Sequence, residues 1–321
     1  MRTDCEDEVV SSIHASSGSD SVVIGTFRQF ASCPVYVFAD NKVVRKLEHN
    51  FPIADVAVCP ADPNILVTVS DFIRVWNKET GDLIAVLAPH ESSPDLCPFT
   101  AVKFAPNSTL FAVTDVRGVC SVFDARKLDL PIEVFEIGTE RLYGLTFVSA
   151  EVVACVGESG SLYVLDRLSH QVLCSRGVDV QPQCQPTKLA WLPGLSLVAV
   201  ANQASGIFSV FELSSMGAPP RLVGSSKPSE SIADMAWIPS HPQYLVVARD
   251  SGLIEVWNKN NLHSPHFSEN IAQSVSAVAC VDSGVLVGTA KGQVLSTPLP
   301  GGLDQSPIAP FLHQASYPAL A

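Results

Sequence analysis

Short runs of apolar residues, separated by polar turn residues, recur along this chain at intervals of 43 to 46 residues. The fourth position of each run is apolar, and these fourth positions are Val56, Val102, Leu145, Leu189, Met235 and Val278. A repeat of this length that holds several strand-like segments is typical of β-propeller blades. The pattern therefore predicts a ring of similar β-sheets.

The repeat that begins at residue 53 shows the strand pattern most clearly. Its four apolar segments are Ile53–Val58, Ile65–Val69, Phe72–Trp76 and Leu83–Leu87. They are rich in Val, Ile and Leu, and the Pro, Gly, Asn and Asp residues between them favour turns. No segment carries apolar residues at helical spacing over about ten residues. We therefore predict an all-β protein.

The third segment of each repeat ends in a second signal, an apolar residue and a large apolar residue followed by Asp, Asn or Glu. It occurs as Val75-Trp76-Asn77, Val122-Phe123-Asp124, Val164-Leu165-Asp166, Val210-Phe211-Glu212 and Val256-Trp257-Asn258. This is a degenerate form of the Trp-Asp ending of WD repeats. In intact repeats an Asp before this strand joins a buried hydrogen-bond network with a His, and only His49 stands at a matching position.

Counting the repeats predicts a seven-bladed β-propeller of WD-repeat type with degenerate motifs, and a six-bladed ring is the alternative. Seven repeats fill nearly all of the 321 residues, so we expect one domain over residues 1–321. The seventh repeat has no obvious fourth strand. Because an unpaired strand edge invites aggregation, Met1–Asp7 or the tail near Ile308–His313 is expected to supply it.

Composition narrows the class of partner. Only 16% of the residues are charged and 47% are hydrophobic, which fits strands buried on both faces. The net charge is −12 and the Lys and Arg residues are scattered, so we expect no direct contact with nucleic acid or with an anionic membrane. The N-terminal residues lack an apolar core and no C-x-x-C pair occurs, which favours reduced thiols in the cytoplasm and nucleus.

A search for catalytic motifs finds no phosphate-binding loop, no dinucleotide-binding glycine pattern and no H-E-x-x-H. The segment Gly157–Ser161 resembles a nucleophile elbow, but it lies between two predicted strands instead of before a helix. No Cys or acidic cluster accompanies the histidine pair His263 and His266. We predict no enzyme activity, no cofactor and no metal site, with catalysis at the mouth of the channel as an alternative.

Two segments are candidate partner-binding sites. The first is the long connection 88–98, which mixes apolar and acidic residues around stiffening prolines and includes His90, Asp95, Leu96 and Cys97. The second is the Phe-Asp-x-Arg box that holds Asp124 and Arg126. Some propellers dock onto the adaptor of cullin-RING ubiquitin ligases through such a box, and its Arg can bind a carboxylate through two hydrogen bonds. A plain connector and a solvated surface Arg are the alternatives.

Three stretches together resemble the anthocyanin-regulator WD-repeat family, which includes the plant TRANSPARENT TESTA GLABRA proteins and animal relatives among the cullin-associated factors. The stretches are Ile24–Phe27, Ile65–Trp76 and Ser93–Thr100. The resemblance implies a non-catalytic scaffold. It implies partners among transcription factors of the basic helix-loop-helix and MYB classes, or among protein kinases.

The sequence thus favours a scaffold for protein–protein assembly in transcriptional or kinase signalling. A substrate receptor that binds a cullin-ligase adaptor is the alternative, suggested by Asp124 and Arg126. A coat or nuclear-pore propeller is a further alternative, since those propellers also carry degenerate WD repeats.

Overall fold

The fold consists of seven small antiparallel sheets, as seen in a computed structural model. The structure describes residues 9–15, 21–28, 32–39, 42–87, 99–138, 140–175, 187–192, 196–213, 219–281, 284–298 and 315–316. Within these ranges the chain forms strands and turns and no helix. The predicted all-β class and the seven-bladed β-propeller are confirmed, and the six-bladed alternative is wrong.

Each blade is built from four strands that are consecutive in the chain and hydrogen-bonded in order from the channel outward. The first blade holds β1 (Val9–Ala15), β2 (Ser21–Phe27), β3 (Val35–Ala39) and β4 (Lys42–Leu47). The second holds β5 (Asp55–Val58), β6 (Ile65–Val69), β7 (Ile73–Asn77) and β8 (Leu83–Leu87). The third holds β9 (Phe99–Phe104), β10 (Leu110–Asp115), β11 (Val119–Asp124) and β12 (Glu133–Glu136).

The later blades repeat this order. The fourth holds β13 (Leu142–Phe147), β14 (Val152–Gly157), β15 (Leu162–Asp166) and β16 (Gln171–Ser175). The fifth holds β17 (Thr187–Leu192), β18 (Leu197–Asn202), β19 (Ile207–Glu212) and β20 (Arg221–Ser225). The sixth holds β21 (Ile232–Trp237), β22 (Tyr244–Arg249), β23 (Leu253–Asn258) and β24 (Phe267–Asn270). The seventh holds β25 (Val275–Val281), β26 (Gly284–Thr289), β27 (Val294–Pro298) and β28 (Ala315–Ser316).

The fourth strand of the seventh blade comes from the C-terminal tail. Ser316 pairs with Leu295 and Ala315 pairs with Ser296, so β28 lies just beyond the predicted segment Ile308–His313. That segment and Met1–Asp7 both lie outside the described residues. A strand of two small residues carries no hydrophobic alternation, which is why the pattern of the sequence could not locate it.

Apolar side chains join each blade to the next. The large residues of the WD-like endings are buried, and Phe123 stacks on Phe111 with ring centroids 5.2 Å apart. A cluster of the first and seventh blades closes the ring; its buried members are Val10, Ile24, Tyr36, Phe38, Ala277, Leu286 and Val294. No sheet of the described residues contains strands from both ends of the chain, so among these residues the side-chain packing closes the ring.

A close approach across this closure joins Gly288 of β26 to Val10 of β1. A Cβ atom added at Gly288 would lie 2.5 Å from Val10 Cγ1 and 2.9 Å from Val10 Cβ. Because the χ1 angle of Val is restricted, Val10 cannot easily turn away. Only glycine lets the two blades pack at this distance.

We expect Gly288→Ala to lower the free energy of unfolding by about 1–3 kcal/mol through overpacking. Adding Val10→Ala should relieve the clash. The double variant should therefore lose less free energy of unfolding than the two single variants lose together. Denaturant titration measures all three variants. Gly224→Ala is the control, because its Cβ would meet only the flexible end of Leu262 at 3.2 Å. Strictly additive costs would show that the two residues do not touch.

Candidate functional site

Four of the predicted partner-binding residues, His90, Asp95, Leu96 and Cys97, lie in the segment 88–98 outside the described residues. Their role stays a prediction. Asp124 and Arg126 are described, at the end of β11 and in the turn that follows it.

The Asp124 carboxylate holds Arg126 at the surface of the third blade. The Arg126 guanidinium donates from Nη2 to Asp124 Oδ2 at 2.9 Å and from Nε to Oδ1 at 3.2 Å. Thr109 Oγ1 donates to Oδ1 at 2.7 Å, which fixes the carboxylate from the turn before β10. The hydrogen bonds from Arg126 hold the pKa of Asp124 well below its usual range. The Arg126 side chain remains 73% exposed, so it is oriented without being buried.

A buried polar network in the second blade includes His49, the residue at the His position of a WD repeat, with Arg74 standing between it and Asp71. Trp76 Nε1 donates to Thr68 Oγ1 at 3.0 Å, and Thr68 Oγ1 lies 3.4 Å from His49 Nε2. Arg74 Nη1 lies 3.4 Å from His49 Nδ1 and donates to Asp71 Oδ1 at 2.8 Å. Burial, with the Arg74 charge, lowers the pKa of His49 to about 4. His49 is therefore neutral at pH 7.

The sixth blade fills the corresponding region with an ion pair. Arg249, which is entirely buried, donates from Nε to Glu255 Oε2 at 2.9 Å. The same carboxylate oxygen accepts from Trp257 Nε1 at 3.1 Å. Arg249 Nη1 also donates to the carbonyl oxygens of Gly206 at 2.8 Å and Glu230 at 2.7 Å. Because Gly206 belongs to the turn before β19, the ion pair ties the sixth blade to the fifth.

A central channel of about 550 Å³ runs between the inner strands of all seven blades. The strand register places one equivalent residue of each inner strand at the same level of the channel. We call these seven residues the third positions. They are Ser12, Asp55, Ala101, Gly144, Lys188, Asp234 and Ala277. The fourth positions follow directly, and their side chains pack between neighbouring blades.

Aspartates at the third position cap the open edge of the next blade. Asp55 Oδ2 accepts from the backbone N–H of Val102 at 3.1 Å. Asp234 Oδ2 accepts in the same way from the N–H of Val278 at 2.9 Å. The inner strand of a blade has a partner strand on one side only. The backbone N–H groups on its other side, which has no partner strand, therefore need such acceptors. The two aspartates therefore connect the second blade to the third and the sixth to the seventh.

Hydrogen bonding and burial act on further ionisable groups in the channel. Lys103 Nζ donates to Asp55 Oδ2 at 2.6 Å. Burial and the Lys103 charge lower the pKa of His14 to about 4, so its imidazole is neutral at pH 7. Burial, with the Asp234 carboxylate beside it, raises the pKa of the Cys280 thiol far above its usual range. The thiol is thus protonated at neutral pH and is a poor nucleophile.

Sequence reasoning did not select the charged residues of the channel, namely His14, Asp55, Lys103, Lys188 and Asp234. Their types differ from blade to blade, so no motif identifies them. Alignment of the repeats on their fourth positions would have found Asp55, Lys188 and Asp234, because these share one repeat position.

No protein-family model matches the chain, and no curated protein is significantly similar to it. The resemblance to the anthocyanin-regulator family therefore stays a prediction. None of the described segments forms an apolar helix of membrane-spanning length. In the same segments no group of three or more His, Cys, Asp or Glu side chains could hold a metal ion.

The state of His49 predicts how stability depends on pH. The unfolded chain binds a proton at His49 near the ordinary pKa of about 6.5, whereas the folded chain does so only near 4. The contribution of neutral His49 is therefore complete above pH 6.5 and is lost as the pH falls toward 4. We expect this loss to be about 2–3 kcal/mol in the wild type and absent from His49→Gln.

Urea titrations between neutral and acidic pH measure this difference. His263→Gln changes an exposed histidine and should keep the pH dependence of the wild type. Equal pH dependence in His49→Gln and the wild type would contradict the assignment.

Proposed function

We propose that this protein is a non-catalytic WD-repeat scaffold for protein–protein assembly in the cytoplasm and nucleus. The seven-bladed propeller supports this proposal, because such rings commonly mediate protein interactions. The observation that carries it is a set of apolar side chains left exposed on neighbouring outer strands. We call this set the blade 1–2 flank; its members are Val43, Val44, Leu83, Ile84 and Val86.

The blade 1–2 flank combines two features of a docking surface. Its side chains are 43–51% exposed although all five are aliphatic. They lie on β4 and β8, each of which pairs with a strand on one side only among the described residues. Arg45 Nε donates to the carbonyl oxygen of Glu79 at 2.8 Å, which joins the first blade to the second. Exposed apolar side chains on edge strands support protein binding and would otherwise promote aggregation.

The resemblance to the anthocyanin-regulator family suggests the kind of partner. Transcription factors of the basic helix-loop-helix and MYB classes, and protein kinases, are the candidates to assay first. The net charge of −12 supports a protein partner over nucleic acid.

A test places one charge on the blade 1–2 flank. Ile84→Asp should abolish capture of specific partners from extracts while the protein stays folded, because the side chain already contacts water. Quantitative mass spectrometry of affinity-purified protein compares the variants. Ser268→Asp is the matched control, since it adds the same charge to an exposed position of outer strand β24. Recovery of no specific partner, or of the same partners with both variants, would argue against the proposal.

A second candidate function is that of a substrate receptor which docks onto a cullin-ligase adaptor. The exposed and oriented guanidinium of Arg126 favours it, because Asp124 leaves its outer side open to a partner. Planar Arg presents several N–H donors in a fixed geometry that Lys cannot reproduce.

We expect Arg126→Ala to weaken binding of the purified adaptor at least about tenfold, with no rescue by Arg126→Lys. Surface plasmon resonance measures the affinity. Arg221→Ala provides the control, because Arg221 is 70% exposed and also pairs with a carboxylate, that of Glu212. Unchanged adaptor binding in Arg126→Ala would remove the docking model and leave the scaffold proposal intact.

A further inference from the structure

Lys188 breaks the pattern of the third positions in the channel. In the second and sixth blades the charged residue at this level is an aspartate, which accepts a hydrogen bond from the next blade. In the fifth blade the same level carries a lysine, which can only donate. The backbone N–H of the next blade therefore faces a donor where the other two interfaces have an acceptor.

Register identifies that N–H group as the one of Met235. Met235 pairs with Val247 in β22, as Val102 pairs with Val113 and Val278 pairs with Val287. Since the N–H groups of Val102 and Val278 point to the preceding blade, the N–H group of Met235 points toward the fifth blade.

The interface between the fourth and fifth blades shows the same juxtaposition. There the third position is Gly144, and a Cβ atom added to it would lie 3.2 Å from the backbone N of Leu189. A third-position side chain thus begins beside the fourth-position N–H of the next blade. The Lys188 side chain starts from the equivalent place beside Met235.

No acceptor in the described part of the chain neutralises Lys188. It forms no ion pair and no side-chain hydrogen bond with any described residue, whereas Lys103, the other channel lysine, is paired with Asp55. Asp234, the next acid around the ring, is directed toward Val278 of the seventh blade. The Lys188 ammonium group therefore has no side-chain acceptor among the described residues, and the corner where the Lys188 side chain begins beside the Met235 N–H contains no acceptor from the third position.

The corner opens into the channel. Lys188 and Met235 both line the 550 Å³ cavity. Ser12, at the same level in the first blade, is 8% exposed, and its hydroxyl has no hydrogen-bond partner within the described structure. Leu189 and Trp237 add apolar surface to the wall. Each of these three polar groups can donate a hydrogen bond, so a ligand that supplies acceptors fits them.

We propose that the Lys188–Met235 corner of the channel binds the carboxylate group of a ligand. The carboxylate would take the place that Asp55 and Asp234 occupy at their interfaces, accepting from the Met235 N–H and pairing with Lys188. A single negative charge fits better than a phosphate dianion, because the Asp234 carboxylate lies next in the ring. A free organic acid and the acidic side chain of a peptide offer the same group.

Thermal unfolding in sodium acetate and in sodium chloride of equal concentration tests the corner. Bound acetate stabilises the folded state, so the wild type should unfold a few degrees higher in acetate. Lys188→Met should lose this difference, and Lys227→Met, which changes an exposed lysine, should keep it. Lys188→Gln is a second neutral variant in case Lys188→Met fails to fold. An acetate effect that survives both Lys188 variants would overturn the proposal.

Lys188→Asp tests the same geometry by supplying the carboxylate from within the chain. It should unfold at least as high as the wild type in chloride, and acetate should no longer raise its unfolding temperature. A clear fall in its unfolding temperature in chloride would contradict the proposed position of the carboxylate.

Calorimetric titration then separates the two sources of carboxylate. The probes are succinate and the blocked peptide acetyl-Gly-Asp-Gly-amide. Binding of either probe, weakened at least about tenfold by Lys188→Met, supports the site. Binding of the peptide alone assigns an acidic partner segment, and binding of succinate alone assigns a free organic acid. Binding of neither probe would overturn the proposal.

Discussion

Burial of both faces of every sheet against neighbouring blades is the constraint on which this structure depends. The middle strands show it most directly, since every described side chain of β18 and β22 is buried. Burial on both faces explains why only 16% of the residues are charged. It also explains why the WD-like endings can vary between Trp, Phe and Leu, because any large apolar side chain fills the space between two blades.

Polar groups inside this apolar frame follow a second constraint, which is that each needs a partner. The second blade meets it with the neutral network of Trp76, Thr68 and His49, and the sixth meets it with the Arg249–Glu255 ion pair. The two solutions share a tryptophan at the same strand position but use opposite charges beside it, Arg74 in one and Glu255 in the other. A repeat can therefore lose its sequence motif and keep its fold when the size of the buried side chain is kept and the charge of its polar neighbour changes.

The periodicity of the sequence was enough to predict the fold class and the number of blades. It could not place the last strand, because β28 is two residues long and its position depends on the open edge of β27. It identified His49 but not the channel residues, whose importance comes from their level around the ring. Of the predicted site residues, Asp124 and Arg126 are positioned as a pair. Binding by this pair depends on the surface of the partner protein, which the sequence of this chain does not describe.

Each blade is made of four strands that follow one another in the chain, including the blade that completes the ring. In the described part of the chain no strand joins the two ends of the ring, and the seventh and first blades meet through side-chain packing as the other neighbouring blades do. Moving the chain termini to any other inter-blade connection would leave all seven sheets uncut. Circular permutation is thus a property that this topology permits at every blade boundary.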